Sequence, residues 1–311
     1  MDIVELASGL RFPEGPIAMS DGSVLLVEIE RGTLTRVAPD GRVDVVASLG
    51  GGPNGAAIGP DGMVYVCNNG GFAWMEGPDT GLRPHGTPDN YSGGWIERVD
   101  IATGRSERLY ESCDGVALCG PNDLVFDGHG GFWFTDFGKT RARDMDRGAV
   151  YYATADGSAI RRAIFPLFFP NGIGLSPDER TLYVAETYTN RVWAFDLIGP
   201  GRIDPQPYPA SPNGGRLLVA PGGYQAFDSL AVDAAGRICV ATIYNGGITV
   251  IDTATGAWQH RPTPDPLTTN ICFGGEGLMT AFITLSSTGK LIRTSWDAAG
   301  LKLRYPDGND A

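Results

Sequence analysis

Six polar residues with a side-chain oxygen recur along the chain, each at the same place in a repeated phrase. They are Glu14, Asn54, Asn122, Asn171, Asp228 and Asn270. A short apolar run follows each one, and then a tight turn such as residues 60–62. Carboxylate and amide oxygens are the ligands that hard divalent cations prefer in proteins. If the fold brings the six residues together, they form an all-oxygen metal site.

A polar residue at the start of a strand also has a simple structural use, because its side chain can bond nearby backbone groups. That explanation would suffice for one such residue. Six such residues in the same register, two carboxylates and four amides, favour a shared binding site instead. The constant register over the whole chain also indicates a repeat architecture.

Each repeat contains three runs typical of β-strands. One follows the polar residue, one follows the turn, and one alternates after Gly or Asn, as in residues 124–126, 132–134 and 148–152. A fourth run is weaker, as in residues 105–109. Four-stranded units repeated around an axis make a β-propeller. The six repeats predict an all-β, six-bladed β-propeller, formed by residues 1–311 as one domain, in which residues 3–6 supply the outer strand of the last blade.

The topology of a propeller predicts where the polar residues meet. The first strand of each blade lines the central channel, so all six should stand at one mouth of that channel. The second strand returns to the same face and brings Phe137 and Tyr188 to the rim. The long insertion at residues 72–93, which contains Trp74 and His85, is expected to form a loop over the pocket.

Composition and charge exclude several classes of partner. The chain carries 36 acidic and 24 basic residues, a formal net charge of −12. This balance argues against nucleic acid and anionic membranes, which reward clustered Lys and Arg. No apolar run approaches the ~20 residues of a membrane-spanning helix. The start of the chain has no signal-peptide pattern and the five cysteines have no CxxC spacing, so we expect a cytoplasmic protein with reduced thiols.

Other catalytic schemes find little support in the sequence. It contains no G-x-S-x-G elbow, no H-E-x-x-H motif, no P-loop and no convincing dinucleotide fingerprint. The three histidines are scattered, and only His85 stands where it could reach the pocket as a proton shuttle.

The combination of phrases resembles the SMP-30/gluconolactonase/luciferin-regenerating family and, more distantly, the calcium-dependent diisopropyl-fluorophosphatase group. The matching stretches are FPEGP at 12–16, GPND at 120–123 with FTD at 134–136, PNGIG at 170–174 leading into SPD at 176–178, and FDSLAVD at 227–233. The resemblance covers nearly the whole chain. It implies that Glu14, Asn171 and Asp228 bind one divalent metal, with Asn122 completing the shell or touching the substrate. It also implies lactone hydrolysis, with Asp228 as the base.

One departure from the family pattern bears on the substrate. Sugar-lactonase members often have an arginine two residues before the blade-three asparagine, where this chain has Gly120. Aromatic side chains could line an apolar rim instead, and the candidates are Trp74, Phe137, Phe168, Phe169 and Tyr188. Phe168 and Phe169 could equally pack between blades. The sequence leaves open whether the lactone is a sugar or more apolar.

We therefore predict a divalent-metal-dependent lactonase with a small-molecule lactone as its partner. The expected ion is Ca²⁺, with Zn²⁺, Mn²⁺, Mg²⁺ or iron as alternatives. The expected metal ligands are Glu14, Asn122, Asn171 and Asp228, and Asp228 is the expected base. The residues expected to contact the substrate are Asn122, Asn54, Tyr188, Phe137 and His85.

Two alternatives stay open at this point. The first keeps the metal and changes the bond, as a phosphotriesterase-like or other ring-opening or isomerising enzyme. The second is a non-catalytic propeller that binds a partner or a metal, although a pure binding face does not need buried carboxylates. The chain is expected to act as a monomer or a homodimer.

Overall fold

The computed structural model describes residues 2–305 of the 311-residue chain. Within this range the regular elements are β-strands, apart from one turn of 3-10 helix at Glu276–Leu278. The strands form six antiparallel sheets of four or five strands, and two small hairpins lie outside them. The prediction of an all-β, six-bladed propeller is thus confirmed. None of the described residues forms a helix long and apolar enough to cross a membrane.

The first half of the chain forms blades one to three. Strand β1 is Val4–Ala7. Blade one contains β2 (Pro13–Ala18), β3 (Val24–Glu28), β4 (Thr33–Val37) and β5 (Val43–Ser48). Blade two contains β6 (Pro53–Ile58) and β7 (Val64–Asn68), then the separate hairpin β8 (Trp74–Gly77) and β9 (Gly81–Pro84), then β10 (Trp95–Val99) and β11 (Ser106–Tyr110). After a short hairpin, β12 (Ser112–Cys113) and β13 (Val116–Ala117), blade three contains β14 (Pro121–Phe126), β15 (Gly131–Asp136), β16 (Gly148–Thr154) and β17 (Ile160–Leu167).

The second half forms blades four to six in the same way. Blade four contains β18 (Pro170–Leu175), β19 (Thr181–Glu186), β20 (Arg191–Gly199), the short β21 (Arg202–Ile203) and β22 (Arg216–Val219). Blade five contains β23 (Ala226–Val232), β24 (Ile238–Ile243), β25 (Gly247–Ile251) and β26 (Trp258–Pro262). Blade six contains β27 (Thr268–Gly274), β28 (Thr280–Leu285) and β29 (Lys290–Ser295).

The N-terminal strand closes the ring. β1 pairs antiparallel with β29, with Val4 opposite Arg293, and so becomes the outer strand of blade six. This confirms the place predicted for residues 3–6. This pairing ties the start of the chain to the last blade and so holds the first and last blades together.

The apolar core lies between the blades. In the layer between blades two and three, Tyr65 and Ile96 meet Phe132 and Phe134. Equivalent layers separate every other pair of neighbouring blades, including the pair at the closure. Burial of this apolar surface is the main stabilising contribution. Because every blade packs on two neighbours, the six first strands are held rigidly around the channel.

Candidate metal and active site

The six polar residues stand where the first strand of each blade begins, and each lies beside an irregularity in strand pairing. The register between first and second strands shifts between Pro121 and Leu124 in blade three, and between Pro170 and Ile173 in blade four. The other four blades show a shift at the same place. A β-bulge takes a side chain out of the regular ladder and re-aims it. The repeated bulge is therefore the local reason that these side chains turn toward the channel mouth.

Close contacts connect the six strand entries into a ring. A Cβ at Gly55 would lie 2.5 Å from the carbonyl oxygen of Asn122, and one at Gly172 would lie 2.7 Å from that of Asp228. The strands can approach this closely because no side chain separates them. The Ser229 hydroxyl donates to Asn171 Oδ1 at 3.3 Å, and the Asn270 amide donates to Glu14 Oε2 at 2.7 Å. The entries of neighbouring first strands thus lie in direct contact, and a shared site at one channel mouth stays a prediction.

A second set of residues fixes the backbone that enters the site. In blades one to four, a buried acid or amide at the end of the second strand accepts a backbone N–H from the segment before the first strand. The pairs are Arg11 with Glu28 at 2.7 Å, Gly52 with Asn68 at 2.8 Å, Gly120 with Asp136 at 2.7 Å and Phe168 with Glu186 at 2.7 Å. The sequence predicted only that the second strands return to this face. The supporting role of these acids and amides is visible only in three dimensions.

The site concentrates buried negative charge. Glu14 is 2% exposed, and burial is the main cause that raises its pKa well above the ordinary value, followed by the charge of Asp228. The half-buried Asp228 has its pKa raised to about 7, chiefly by desolvation, while the Asn171 amide opposes the shift. The buried Asp123 also has its pKa raised to about 7 by desolvation. Carboxylates confined in this way favour a bound cation, because it offsets their repulsion and their lost hydration.

The donor atoms fit a hard divalent cation. The side-chain oxygen Asn122 Oδ1 is buried, and within residues 2–305 it has no hydrogen-bond partner. Both hydrogen bonds to Glu14 fall on Oε2, so neither occupies Oε1. No group of three or more His, Cys, Asp and Glu side chains in the described range could hold a metal ion. A shell at this mouth must therefore combine the two carboxylates with amide oxygens, which is the ligand set that Ca²⁺ accepts.

Aromatic residues form one wall of the mouth, which we call the tyrosine wall: Phe137, Phe169, Tyr188, Tyr224 and Tyr244. The rings of Phe137 and Phe169 are 5.0 Å apart, and those of Phe169 and Tyr188 are 4.7 Å apart. Packing raises the pKa of Tyr188, and the nearby charge of Asp228 raises it further. Phe169 is thus buried against the rim aromatics, whereas Phe168 is 41% exposed.

The insertion at residues 72–93 runs along the opposite side of the mouth and contains the hairpin of β8 and β9. Trp74 packs on Phe12 of blade one with ring centroids 5.1 Å apart, and the Leu82 N–H donates to Ser287 of blade six at 3.0 Å. The Tyr91 hydroxyl donates to the Cys119 carbonyl at 2.5 Å and ties the insertion to the entry of blade three. The insertion therefore contacts blades one, three and six as well as its own blade two, and its predicted place over the pocket stays a prediction.

The two remaining predicted contact residues differ in position. Asn54 is buried in the ring, at 5% exposure, between the strands that carry Glu14 and Asn122. His85 lies just after β9 and is exposed, and its backbone N–H donates to Ala73 at 2.6 Å. No hydrogen bond among the described residues joins the His85 imidazole to the six polar residues. A role for His85 in the pocket stays a prediction.

Sequence reasoning missed Lys139, which is 2% exposed. Its Nζ donates to the Gly71 carbonyl at 2.7 Å and lies 4.5 Å and 5.0 Å from the ring centroids of Phe72 and Tyr91. Burial lowers its pKa to about 7, although the charge of Asp136 opposes the shift. Lysine in a loop is usually exposed, so no sequence signal pointed to it. Its contacts place it as the anchor between blade three and the base of the insertion.

The fold is a six-bladed propeller in which each first strand carries an acid or amide residue near its start. A model of the SMP-30/gluconolactonase/LRE-like region matches residues 12–287. The chain belongs to this family.

Named relatives support the same placement. Over 241 residues the chain is 32% identical to the lactonase drp35 of Staphylococcus saprophyticus, which covers 77% of this chain and 66% of that relative. The chain thus spans about two thirds of the length of that protein. It is 26% identical over 315 residues to a gluconolactonase of Zymomonas mobilis, covering 93% and 80% of the two chains. The crystal structure of a calcium-binding protein, regucalcin, from Agrobacterium tumefaciens has the same fold, with a TM-score of 0.70, 18% identity and coverage of 94% and 92%.

Proposed function

We propose that this protein is a divalent-metal-dependent lactonase that opens a cyclic ester at the mouth of the propeller channel. The observation that carries the proposal is the set of oxygen donors at the strand entries: the buried Glu14, whose pKa is raised by burial and by the charge of Asp228, and the buried Asn122 Oδ1, which has no hydrogen-bond partner among the described residues. The names lactonase and gluconolactonase among the relatives support the same chemistry. The expected partner is a small-molecule lactone, with no role for nucleic acid or membrane.

Glu14, Asn171 and Asp228 would hold the cation, with Asn122 as a fourth ligand or a near neighbour. Calcium is the first candidate, because the ligands are all oxygen and a structural relative is named as calcium-binding. When bound, the cation polarises the ester carbonyl and stabilises the negative charge that develops on its oxygen.

The chain's own residues supply proton transfer and orientation. Asp228 takes a proton from the attacking water as general base, a role that a positioned carboxylate can perform. The proton then passes to the ring oxygen as the acyl bond breaks. The amides of Asn54 and Asn122 would orient the ester, and Phe137 and Tyr188 would restrict bulk water on one side.

A proton-release assay tests the proposal. Metal-free protein is reloaded with Ca²⁺, Mn²⁺, Zn²⁺, Mg²⁺ or Fe²⁺ and given δ- and γ-lactones, with paraoxon as a phosphotriester comparison. Lactone opening that stops with a chelator and returns with metal is the expected result. Activity on paraoxon alone would instead establish the phosphotriesterase alternative. Metal binding without turnover of any substrate would establish a binding protein.

A further inference from the structure

Two phenylalanines at the mouth adopt a backbone conformation that bulky residues rarely take. Phe12 and Phe169 have φ of 58° and 55°. Both stand two residues before a polar ring residue and directly before a proline, in blades one and four. In a six-bladed ring these two blades lie opposite each other. Left-handed backbone at a large aromatic residue marks a position where the surroundings impose the conformation, and such positions concentrate at binding sites.

Each of these phenylalanines supports one aromatic wall. Phe12 packs on Trp74, which in turn contacts Phe72 at a centroid distance of 5.9 Å. On the opposite side, Phe169 packs on Phe137 and Tyr188 within the tyrosine wall. The ring of polar residues lies between the two walls, at the channel mouth. A substrate that reaches Asp228 therefore passes between aromatic surfaces.

The tyrosine wall offers exposed ring faces beside the ring of polar residues. Tyr244, with φ of 70°, stacks on Tyr224 with ring centroids 4.9 Å apart and an interplanar angle of 14°. Tyr188 is 57% exposed and Tyr224 is 85% exposed. Exposed large aromatic side chains gathered at one place mark an interaction surface. Flat ring faces bind planar apolar groups by stacking and edge contacts.

Blade three leaves no room for a side chain at the position two residues before Asn122. Gly120 stands two residues before Asn122, and a Cβ there would lie 2.7 Å from the carbonyl oxygen of Gly138. The Gly120 N–H is also fixed by Asp136 at 2.7 Å. A side chain at this position would require the loop after β15 to move. The packing of the loop therefore leaves blade three without a side chain at this position.

We infer that the site selects lactones that carry a planar apolar group, such as a fused or attached aromatic ring, over polyhydroxylated sugar lactones. This inference rests on the proposed lactonase function. In the reaction, one water adds to the ester carbonyl and the acyl carbon–oxygen bond breaks. The ring oxygen leaves with a proton as a phenol or alcohol, and the acyl part becomes a carboxylate.

The test compares two δ-lactones on metal-saturated enzyme: 3,4-dihydrocoumarin, which is fused to a benzene ring, and glucono-δ-lactone. We expect kcat/KM, divided for each lactone by its rate constant for hydrolysis by hydroxide without enzyme, to favour the aromatic lactone by about 10–100-fold, which is the scale on which an apolar pocket discriminates. Tyr188→Ser should lower kcat/KM by about tenfold for the aromatic lactone through loss of ring contacts and by a smaller factor for the sugar lactone, so that the preference between the two narrows. A preference for the sugar lactone overturns the inference and leaves the lactonase function standing.

A binding measurement separates failure of the inference from failure of the proposed function. Coumarin, whose conjugated ring resists hydrolysis, is titrated against the metal-loaded protein by tryptophan fluorescence. We expect saturable binding that Tyr188→Ser weakens about tenfold. Tyr208→Ser, which alters an 89% exposed tyrosine in the loop between β21 and β22, should not change it. If the protein hydrolyses neither lactone, the proposed function is rejected. If Tyr188→Ser binds coumarin as tightly as Tyr208→Ser does, the aromatic site is rejected.

Discussion

The Asn270 side-chain amide donates to Glu14 Oε2 at 2.7 Å and joins residues 256 positions apart in sequence. The bond lies where blade six meets blade one, so the ring of polar residues is closed by a side-chain contact as well as by β1. Glu14 can be held in one orientation only when the last blade has packed. Assembly of the site is thereby coupled to completion of the fold.

Asn270→Ala should weaken metal binding and lower stability together. The variant leaves a buried carboxylate with one hydrogen bond fewer, and a bond to a charged group contributes about 1.5–3 kcal/mol. We expect a loss of metal affinity of about tenfold by titration calorimetry and a lower Tm. Asn245→Ala, at an exposed asparagine on the same face, is the matched control and should change neither value. Full metal affinity in Asn270→Ala would show that Glu14 does not depend on this bond.

Glu14→Gln tests the assignment of Glu14 as a ligand. The change removes a full negative charge and keeps the shape, so a hard cation should bind much more weakly. Added Ca²⁺ should raise the Tm of the unmodified protein by mass action, and this rise should shrink in the variant. Titration calorimetry with unchanged affinity would remove Glu14 from the metal shell.

Asp228→Asn separates the base from the ligand. The variant keeps an oxygen donor and loses the group that accepts the proton. If Asp228 is the base, kcat on a lactone should stay about 10²–10⁴-fold down even when the metal site is saturated, as is typical of a lost general base. Near-native kcat at saturating metal would mean that Asp228 is only a ligand, and His85 would become the next candidate.

The stability of the metal-free protein should fall as pH rises from about 4 to about 7. The pKa of Asp228 is raised from 3.8 to about 7 in the folded chain, and that of Glu14 is also raised. The folded state therefore binds more protons than the unfolded state in this window, so the stability present at low pH is lost as pH passes the folded pKa. Urea unfolding of dialysed protein at pH 5 and pH 7 measures the effect. The explanation would be contradicted if the free energy of unfolding did not fall between pH 5 and pH 7. It would also be contradicted if Asp228→Asn showed the same fall as the unmodified protein.

Much of the architecture was predictable because it repeats. The register of Glu14, Asn122 and Asp228 is visible in the sequence, and the topology of a propeller then brings them to one mouth. The bulge beside each residue was not predictable, because pairing shifts depend on the partner strand. The backbone-capping role of Asp136 depends on a contact across 16 residues of sequence. Residues in such roles look like ordinary rim residues until the strands are assembled.

Lys139 is the clearest example of a role that the sequence did not predict. Its lowered pKa makes the stability of the protein depend on pH in a way that can be measured. Its pKa is lowered from 10.5 to about 7 by burial, so between about pH 7 and 10 the unfolded state binds more protons and stability should rise with pH. Lys139→Met removes this titration and the bond to the Gly71 carbonyl. The free energy of unfolding of the unmodified protein, minus that of the variant, should therefore increase from pH 7 to pH 9. Lys290→Met, at a partly exposed lysine paired with Glu5, is the matched control and should show no such growth.

The same variant tests whether Lys139 anchors the insertion. Without the ammonium group at its base, the segment at residues 70–93 should exchange its amide hydrogens faster, because local opening costs less free energy. KM for a lactone should rise more than kcat falls, since the wall that carries Trp74 is displaced while Asp228 is untouched. If Lys139→Met leaves the hydrogen-exchange protection of that segment unchanged, then the contacts of Phe12, Leu82 and Ser287 hold the insertion without the lysine.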